Sequence, residues 1–149
     1  MVVRDIEREH VPLCRQYGLG ILPWSPLAGG FLSGKSQKEQ APPTGGRLEV
    51  KKERFSDLAT AKNWRALDAL RAVAEEKETT VPAVALAWLI AKPAVSSVIF
   101  GARSLEQLDA NLATVDVALT ADEVRRLDDA SAFDPGYLYK VIAGVQQRW

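Results

Sequence analysis

Cysteine, histidine and methionine occur once each, as Cys14, His10 and Met1. A single cysteine excludes an intrachain disulfide, and one cysteine with one histidine excludes a Cys/His metal cluster within one chain. The lone thiol fits a reducing compartment. Neither charge is in excess, since 19 Lys and Arg balance 19 Asp and Glu. No global field therefore draws the chain to nucleic acid or to an acidic membrane, and anion binding has to be local. Apolar runs of the roughly 18 residues that suggest a membrane span are missing, and the first residues carry no signal-peptide pattern. These absences predict a soluble cytoplasmic protein with no nucleic-acid, membrane or metal partner. What is present is a globular composition, 47% hydrophobic and 26% charged, in a chain long enough for one modest domain with a core.

Along the chain, residues 5–17 read as a helix in which Pro12 introduces a kink, stopped by Tyr17-Gly18. His10 reads as a surface residue of that helix and Cys14 as packing. Leu19 to Trp24 reads as a short strand, and Ser25 to Lys35 as a loop of small residues. Residues 36–56 are polar, with Pro42-Pro43 and Gly45-Gly46, and are expected to be a mobile loop or lid. Residues 60–78 are helical, with Trp64, Leu67, Leu70, Val73 and Ala74 in one apolar stripe. Pro82 fits the first turn of a second helix, about 82–92, apolar nearly all round and so expected to be buried. A strand at 97–100 and a helix at 104–114 follow. Thr120 and Glu123 form a capping box for a last helix to about 131, with Val124, Leu127 and Ala130 apolar. A tail, 133–149, carries Phe133, Tyr137, Tyr139 and Trp149 as docking groups. Strands alternating with helices predict parallel βα units. Two strands, and at most a third at Met1–Val3, make a poor parallel sheet, so the pattern reads as incomplete.

The stretch from Phe100 to Asn111 is the most specific. A glycine, Gly101, ends the strand Val98-Ile99-Phe100, and a helix starts within about three residues. Arg103, Gln107 and Asn111 are four apart, each about 40° further round. Leu105, Leu108, Leu112 and Val115 fall on a separate arc that predicts a packing face. A guanidinium and two amides beside a helix N-terminus suit a phosphate joined to a hydrogen-bonding base. Ser104 and Gln107 equally fit a Ser-x-x-Gln capping box.

Pro23-Trp24-Ser25-Pro26-Leu27-Ala28-Gly29-Gly30-Phe31-Leu32-Ser33-Gly34-Lys35, then Val84-Ala85-Leu86-Ala87-Trp88-Leu89, then Gly101-Ala102-Arg103-Ser104 through Asn111, resemble the aldo-keto reductases in order and spacing. The resemblance runs from about Arg4 to Ala130. It implies an α/β fold, the C-terminal portion of a (β/α)8 TIM barrel from about the end of the sixth strand. That portion is helix-rich, with two or three parallel strands, and is an incomplete barrel over 1–132 followed by the tail 133–149. It also implies NADP(H) as cofactor. Ser25, Pro26, Leu27, Ala28, Leu32 and Lys35 then fall along the pyrophosphate, and Gly101, Ala102, Arg103 and Ser104 at the adenosine 2′-phosphate. Gln107 and Asn111 are placed facing the adenine. Phe100 stands where members often have proline.

The family's catalytic Asp, Tyr, Lys and His match nothing in this sequence, and its nicotinamide-stacking aromatic is expected just before Met1. No catalytic residue is therefore assigned. The expectation is a C-terminal, NADP(H)-binding part of a carbonyl reductase that is catalytically incompetent alone and binds the cofactor weakly or not at all in isolation. The alternative is a non-catalytic cofactor-sensing or scaffold protein, since the family includes channel-associated regulatory subunits. Open strand edges predict self-association or a partner chain. Two copies supply at most six strands, so a homodimeric barrel is not expected.

Overall fold

A computed structural model describes residues 1–146. Eight α-helices occur among them: α1 (His10–Tyr17), α2 (Arg47–Val50), α3 (Lys52–Leu58), α4 (Ala61–Glu76), α5 (Val81–Ile90), α6 (Leu105–Leu112), α7 (Ala121–Ala130) and α8 (Tyr137–Gln146). Short 3-10 segments cover Asp5–Glu7, Ala28–Ser33 and Ala113–Asp116.

The two expected strands pair in parallel, but only through isolated bridges, Ile21 with Val95 and Trp24 with Ile99. Three steps on the first strand match four on the second, so the second carries one extra residue and the ladder is broken. Ile21 N–H donates to Ala94 O at 2.8 Å, Ser96 N–H to Ile21 O at 3.0 Å, and Ile99 N–H to Pro23 O at 2.9 Å. Gly20 lets the strands approach: a Cβ there would lie 2.8 Å from Ser96 Cβ. The third strand at Met1–Val3 does not form. Met1 is buried instead, and the Val2 carbonyl accepts from Lys62 Nζ at 2.8 Å.

The core is built on α4 and α5. Thr60 and Thr80 cap them, each hydroxyl accepting a backbone N–H three residues on. All five residues of the α4 stripe are buried, and Ala83 to Trp88 of α5 are buried on every side. Leu127 of α7 closes the other face with no exposed surface. Burying each such leucine contributes about 1.5–3 kcal/mol relative to leaving it in water. Only the end of α5 departs from expectation, with Ile90 exposed. Asp128 on α7 ties the layers together. It accepts from Trp88 Nε1 at 3.1 Å and from Lys92 Nζ, and Arg4 approaches it to 3.5 Å while pairing with Glu7 at 2.7 Å.

Two expected segments differ. The N-terminal helix is interrupted before α1, where Glu9 leaves helical geometry (φ −128°). Pro12 produces no kink because it falls in the first turn of α1, where a missing N–H costs nothing. Residues 36–56, expected to be a mobile loop, contain α2 and the start of α3. Leu48 and Phe55 are buried there, and Phe31 stacks against Phe55 and Trp64 with ring centres 6.0 and 4.8 Å away. The charged residues between those anchors mask them in a composition-based reading.

In the tail, the segment 133–139, which includes the start of α8, is held against Arg8 and Glu9, just before α1. Arg8 lies over the Phe133 and Tyr139 rings and donates to the Asp134 carbonyl at 2.8 Å, and Tyr139 bonds to Glu9. Trp149 lies outside the described residues.

Candidate functional site: two arms at the ends of a parallel strand pair

Because Trp24 pairs with Ile99 in parallel, the chain leaves both strands side by side. Neighbouring strands are about 4.8 Å apart. The segments beginning at Ser25 and at Phe100-Gly101 therefore start next to each other, at the carboxyl ends of the strands.

The first arm, 25–35, is a compact turn of unusual backbone. Ser25 and Ala28 have φ of 50° and 51°, and Gly29, Gly30 and Gly34 are also left-handed. Left-handed geometry costs an L-residue roughly 1–2 kcal/mol. The turn is held by Ala28 N–H to Ser25 O at 2.8 Å, Gly30 N–H to Leu27 O at 2.9 Å and Leu32 N–H to Leu27 O at 3.2 Å. Phe31 anchors it in the aromatic cluster. Ala28 and Leu32, named from the sequence as cofactor contacts, are buried with it. Their side chains belong to the core, against which the half-buried Leu27 also packs, and the arm's outer surface is offered by the half-buried Ser25 and Pro26 and the exposed Lys35.

The second arm runs from Gly101 into α6. Gly101, Ala102, Arg103 and Ser104 are all exposed. Ser104 is the N-cap, its hydroxyl accepting Gln107 N–H at 3.3 Å, and Gln107 Oε1 in turn accepts Arg103 N–H at 3.1 Å. The serine half of the expected box forms, but the Gln107 side chain turns to Arg103 N–H rather than to the N-cap's own N–H, and its amide nitrogen remains as a donor. The Arg103 guanidinium has no hydrogen-bond or ion-pair partner among the described residues. Beside it, the Ser104 hydroxyl and the Glu106 backbone N–H hold the Glu106 carboxyl below the usual carboxylate range.

Asn111 sits differently from its two partners in the spacing. It was expected beside Gln107 on a ligand-facing surface, but it is only 7% exposed, with Thr114 buried near it. Leu105, Leu108, Leu112 and Val115, expected to pack, are 74%, 36%, 49% and 80% exposed. α6 and the 3-10 turn after it meet α5, and it is the Asn111 and Thr114 side that is buried. The leucine arc finds no cover among the described residues.

Two of the molecule's cavities lie away from the arms, and no residue of either arm lines them. One of about 590 Å³ lies over the outer side of the strand pair against Trp88, Leu89, Val11 and Pro12. One of about 340 Å³ lies beside Phe55 and Trp64. Among the described residues no His, Cys, Asp or Glu group is arranged to hold a metal ion, and no helix is long and apolar enough to cross a membrane. Sequence reasoning missed Arg71, which reaches from α4 to the end of the first arm. Its contacts are tertiary, with carbonyls 37 and 35 residues away, and no local signal points to them.

Parallel strands followed by helices, with adjacent loops at their carboxyl ends, are the local arrangement of a parallel α/β fold such as a (β/α)8 barrel. The chain is similar in structure to a glycerol dehydrogenase from Gluconobacter oxydans (TM-score 0.70, 24% identity), covering 91% of this chain and 42% of that one. The sequence profile described as "Aldo/keto reductase family" matches residues 1–132, and the chain belongs to that family. It is 35% identical over 127 residues to a probable aldo-keto reductase 1 of Glycine max, covering 85% of this chain and 36% of that protein. It is 37% identical over 116 residues to a probable voltage-gated potassium channel subunit beta of Arabidopsis thaliana, covering 75% of this chain and 34% of that protein. The chain thus spans about a third of the length of the curated relatives it matches.

Proposed function

We propose that these residues form the NADP(H)-holding end of an aldo-keto reductase barrel. The observation that carries the reading is the Trp24–Ile99 pairing, which starts both arms side by side. Three features of the second arm fit a phosphorylated nucleotide. An unpartnered guanidinium, Arg103, can fork two phosphate oxygens. The capped start of α6 contributes the positive end of a helix. The free amide of Gln107 offers donors to a base. Ser25, Pro26, Leu27 and Lys35 border the neighbouring surface for the pyrophosphate. Asn111 contributes less than its spacing implied, since it is buried.

Bound NADPH supplies a hydride to a carbonyl carbon. The task of this chain's residues is to hold and orient the nucleotide, with Arg103 selecting the form that carries a 2′-phosphate. Hydride transfer also needs a proton donor for the developing alkoxide, and no residue of the two arms fills that role. The 149 residues on their own are therefore proposed to be catalytically incompetent. The exposed Leu22, Trp24 and Ile99 on the strands, and the uncovered arc of α6, support a larger assembly in which further βα units meet these faces. Residues 1–132 are the barrel portion in this reading, 133–149 a docked tail, and the setting is cytoplasmic.

Calorimetric titration with NADP⁺ tests the cofactor assignment. Binding is expected to weaken at least about tenfold in Arg103→Ala, the loss of about 1.4 kcal/mol that one charge-assisted contact supplies. No heat of binding at millimolar NADP⁺ would sink it. Oxidation of NADPH with aldehydes by the pure chain would refute the incompetence claim. A second reading, a non-catalytic cofactor sensor, is favoured by the similarity to a channel beta subunit. It keeps the same NADP⁺ binding and adds capture by a partner protein.

A further inference from the structure

We propose that Arg71 is a positioning residue for Lys35 and, through it, for the first arm of the groove; this rests on the cofactor reading above. Lys35 is the exposed cation at the end of that arm. The backbone on both sides of it is held by one side chain. Arg71 Nη2, from the middle of α4, donates to Gly34 O at 3.2 Å and to Ser36 O at 2.5 Å. These carbonyls bracket Lys35. On the other side of the guanidinium, Nη1 donates to Asp68 Oδ1 at 3.0 Å. Asp68 fixes the plane of the fork and offsets its charge, so Arg71 orders the arm without adding a free cation of its own.

A second helix supports the same segment. Gly34 has φ of +84°, and a Cβ there would lie 3.1 Å from Val81 Cγ2, at the first turn of α5. The arm is seated between α4 and α5 at the residue before Lys35. Ser36, the residue after it, is fully buried, and its hydroxyl has no partner among the described residues. Its ordering therefore runs through the carbonyl that Arg71 holds. The backbone of Lys35 is pinned at both ends while its side chain stays at the surface, which suits a single cation that must meet a phosphate without a large entropic cost. A planar, five-donor guanidinium suits the double clamp, whereas a lysine in its place is a flexible point donor.

The full chain is titrated with NADP⁺ as wild type, Lys35→Ala, Arg71→Ala, Arg71→Lys and the Lys35→Ala/Arg71→Ala pair, and amide exchange over 33–37 is followed in each free protein. Arg71→Ala is expected to weaken binding about tenfold, with Arg71→Lys restoring only part of it. In the Lys35→Ala background, removing Arg71 should cost less than about twofold more, because contacting residues in one network are non-additive. Exchange over 33–37 should accelerate at least about tenfold in Arg71→Ala, while the interior of α4 keeps its protection. Full, independent losses from the two single substitutions would overturn the proposal, because Arg71 would then not act through Lys35. Unchanged exchange over 33–37 would overturn it too. If the wild-type chain binds no NADP⁺, the cofactor reading falls, and the exchange alone decides whether Arg71 holds Lys35.

Discussion

Gly20→Ala tests whether the strand pair organises the site. Its φ lies outside the left-handed region, so alanine is accepted by the backbone and even restricts the unfolded chain, a gain of about 0.4–1 kcal/mol. The obstacle is Ser96. A Cβ at residue 20 would stand 1.9 Å from Ser96 Oγ and 2.8 Å from Ser96 Cβ. The hydroxyl can rotate away, but the Cβ cannot. Normal carbon contacts start at about 3.5 Å, so the strands must part by roughly 0.7 Å. That opening strains Ile21 N–H to Ala94 O and Ser96 N–H to Ile21 O, now 2.8 and 3.0 Å, to the limit of a hydrogen bond. Overpacking of this kind costs about 1–3 kcal/mol; set against the backbone gain, the midpoints leave a net destabilisation of about 1.3 kcal/mol. In a chain of this size the melting temperature should fall by about 2–4 °C for each kcal/mol, read by far-UV circular dichroism. Ser96→Gly in the Gly20→Ala background removes both contacts and should restore most of the loss. Ser96→Ala keeps the Cβ and should not. A Gly20→Ala protein that melts with the wild type, or a rescue by Ser96→Ala equal to that by Ser96→Gly, would refute the close approach.

Other expectations follow from packing, capping and charge. Leu70→Ala empties a fully buried position on α4 and should cost about 2–5 kcal/mol in urea unfolding. Thr120→Ala removes the side-chain half of a formed capping box, the hydroxyl that accepts Glu123 N–H at 3.2 Å, while the backbone N–H of residue 120 still reaches Glu123 at 2.7 Å, and should lower stability by about 1 kcal/mol. Glu76 is held below its ordinary 4.5 by hydrogen bonding to Arg126. Burial pushes Glu123 up, but the backbone N–H of Thr120 and the Lys77 ammonium outweigh it. Carboxyls depressed in the fold stabilise it above their unfolded values and lose that contribution as pH falls through the lower, folded ones. The contribution of these carboxyls should thus hold steady above pH 4.5, and below it the urea midpoint should decline less in Glu76→Gln than in the wild type; equal declines in the two proteins would count against the pairing.

The helices were legible where local chemistry and periodicity agreed. The α4 stripe, Pro82 in the first turn of α5, Gly18 as a left-handed stop and the Thr120–Glu123 box all stand in the structure with their expected partners. The two strands were legible as apolar runs, but their broken ladder was not, because the extra residue between Val95 and Ile99 shows only once the strands are paired. Leu48 and Phe55 were hidden among charges, and their burial depends on Phe31 and Trp64 arriving from elsewhere in the chain. In the candidate site, the Ser104 cap of α6 was readable, whereas the Gln107 side chain accepts Arg103 N–H instead of closing the box. The inward side chains of Ala28 and Leu32 were not, since the left-handed turns at Ser25 and Ala28 decide which way that loop faces.

α6 is the element where sequence and structure disagree most, and the disagreement has one physical source. Helical spacing says which residues share a face, but not which face meets a neighbour. The leucine arc is the more apolar side, so burial free energy should turn it inward if a surface were there to receive it. Among the described residues the neighbour is α5, and the side buried carries Asn111 and Thr114, the latter with its buried hydroxyl unpartnered. A helix that exposes leucines and buries an amide is in conflict with its own pattern. The conflict disappears if further βα units cover the leucine arc, the same units proposed to meet Leu22, Trp24 and Ile99. Covering that arc would also fix the direction of α6, and with it the aim of Arg103 and Gln107. The proposed cofactor affinity and the missing cover are therefore linked: whatever buries Leu105, Leu108 and Leu112 should tighten NADP⁺ binding without touching the nucleotide.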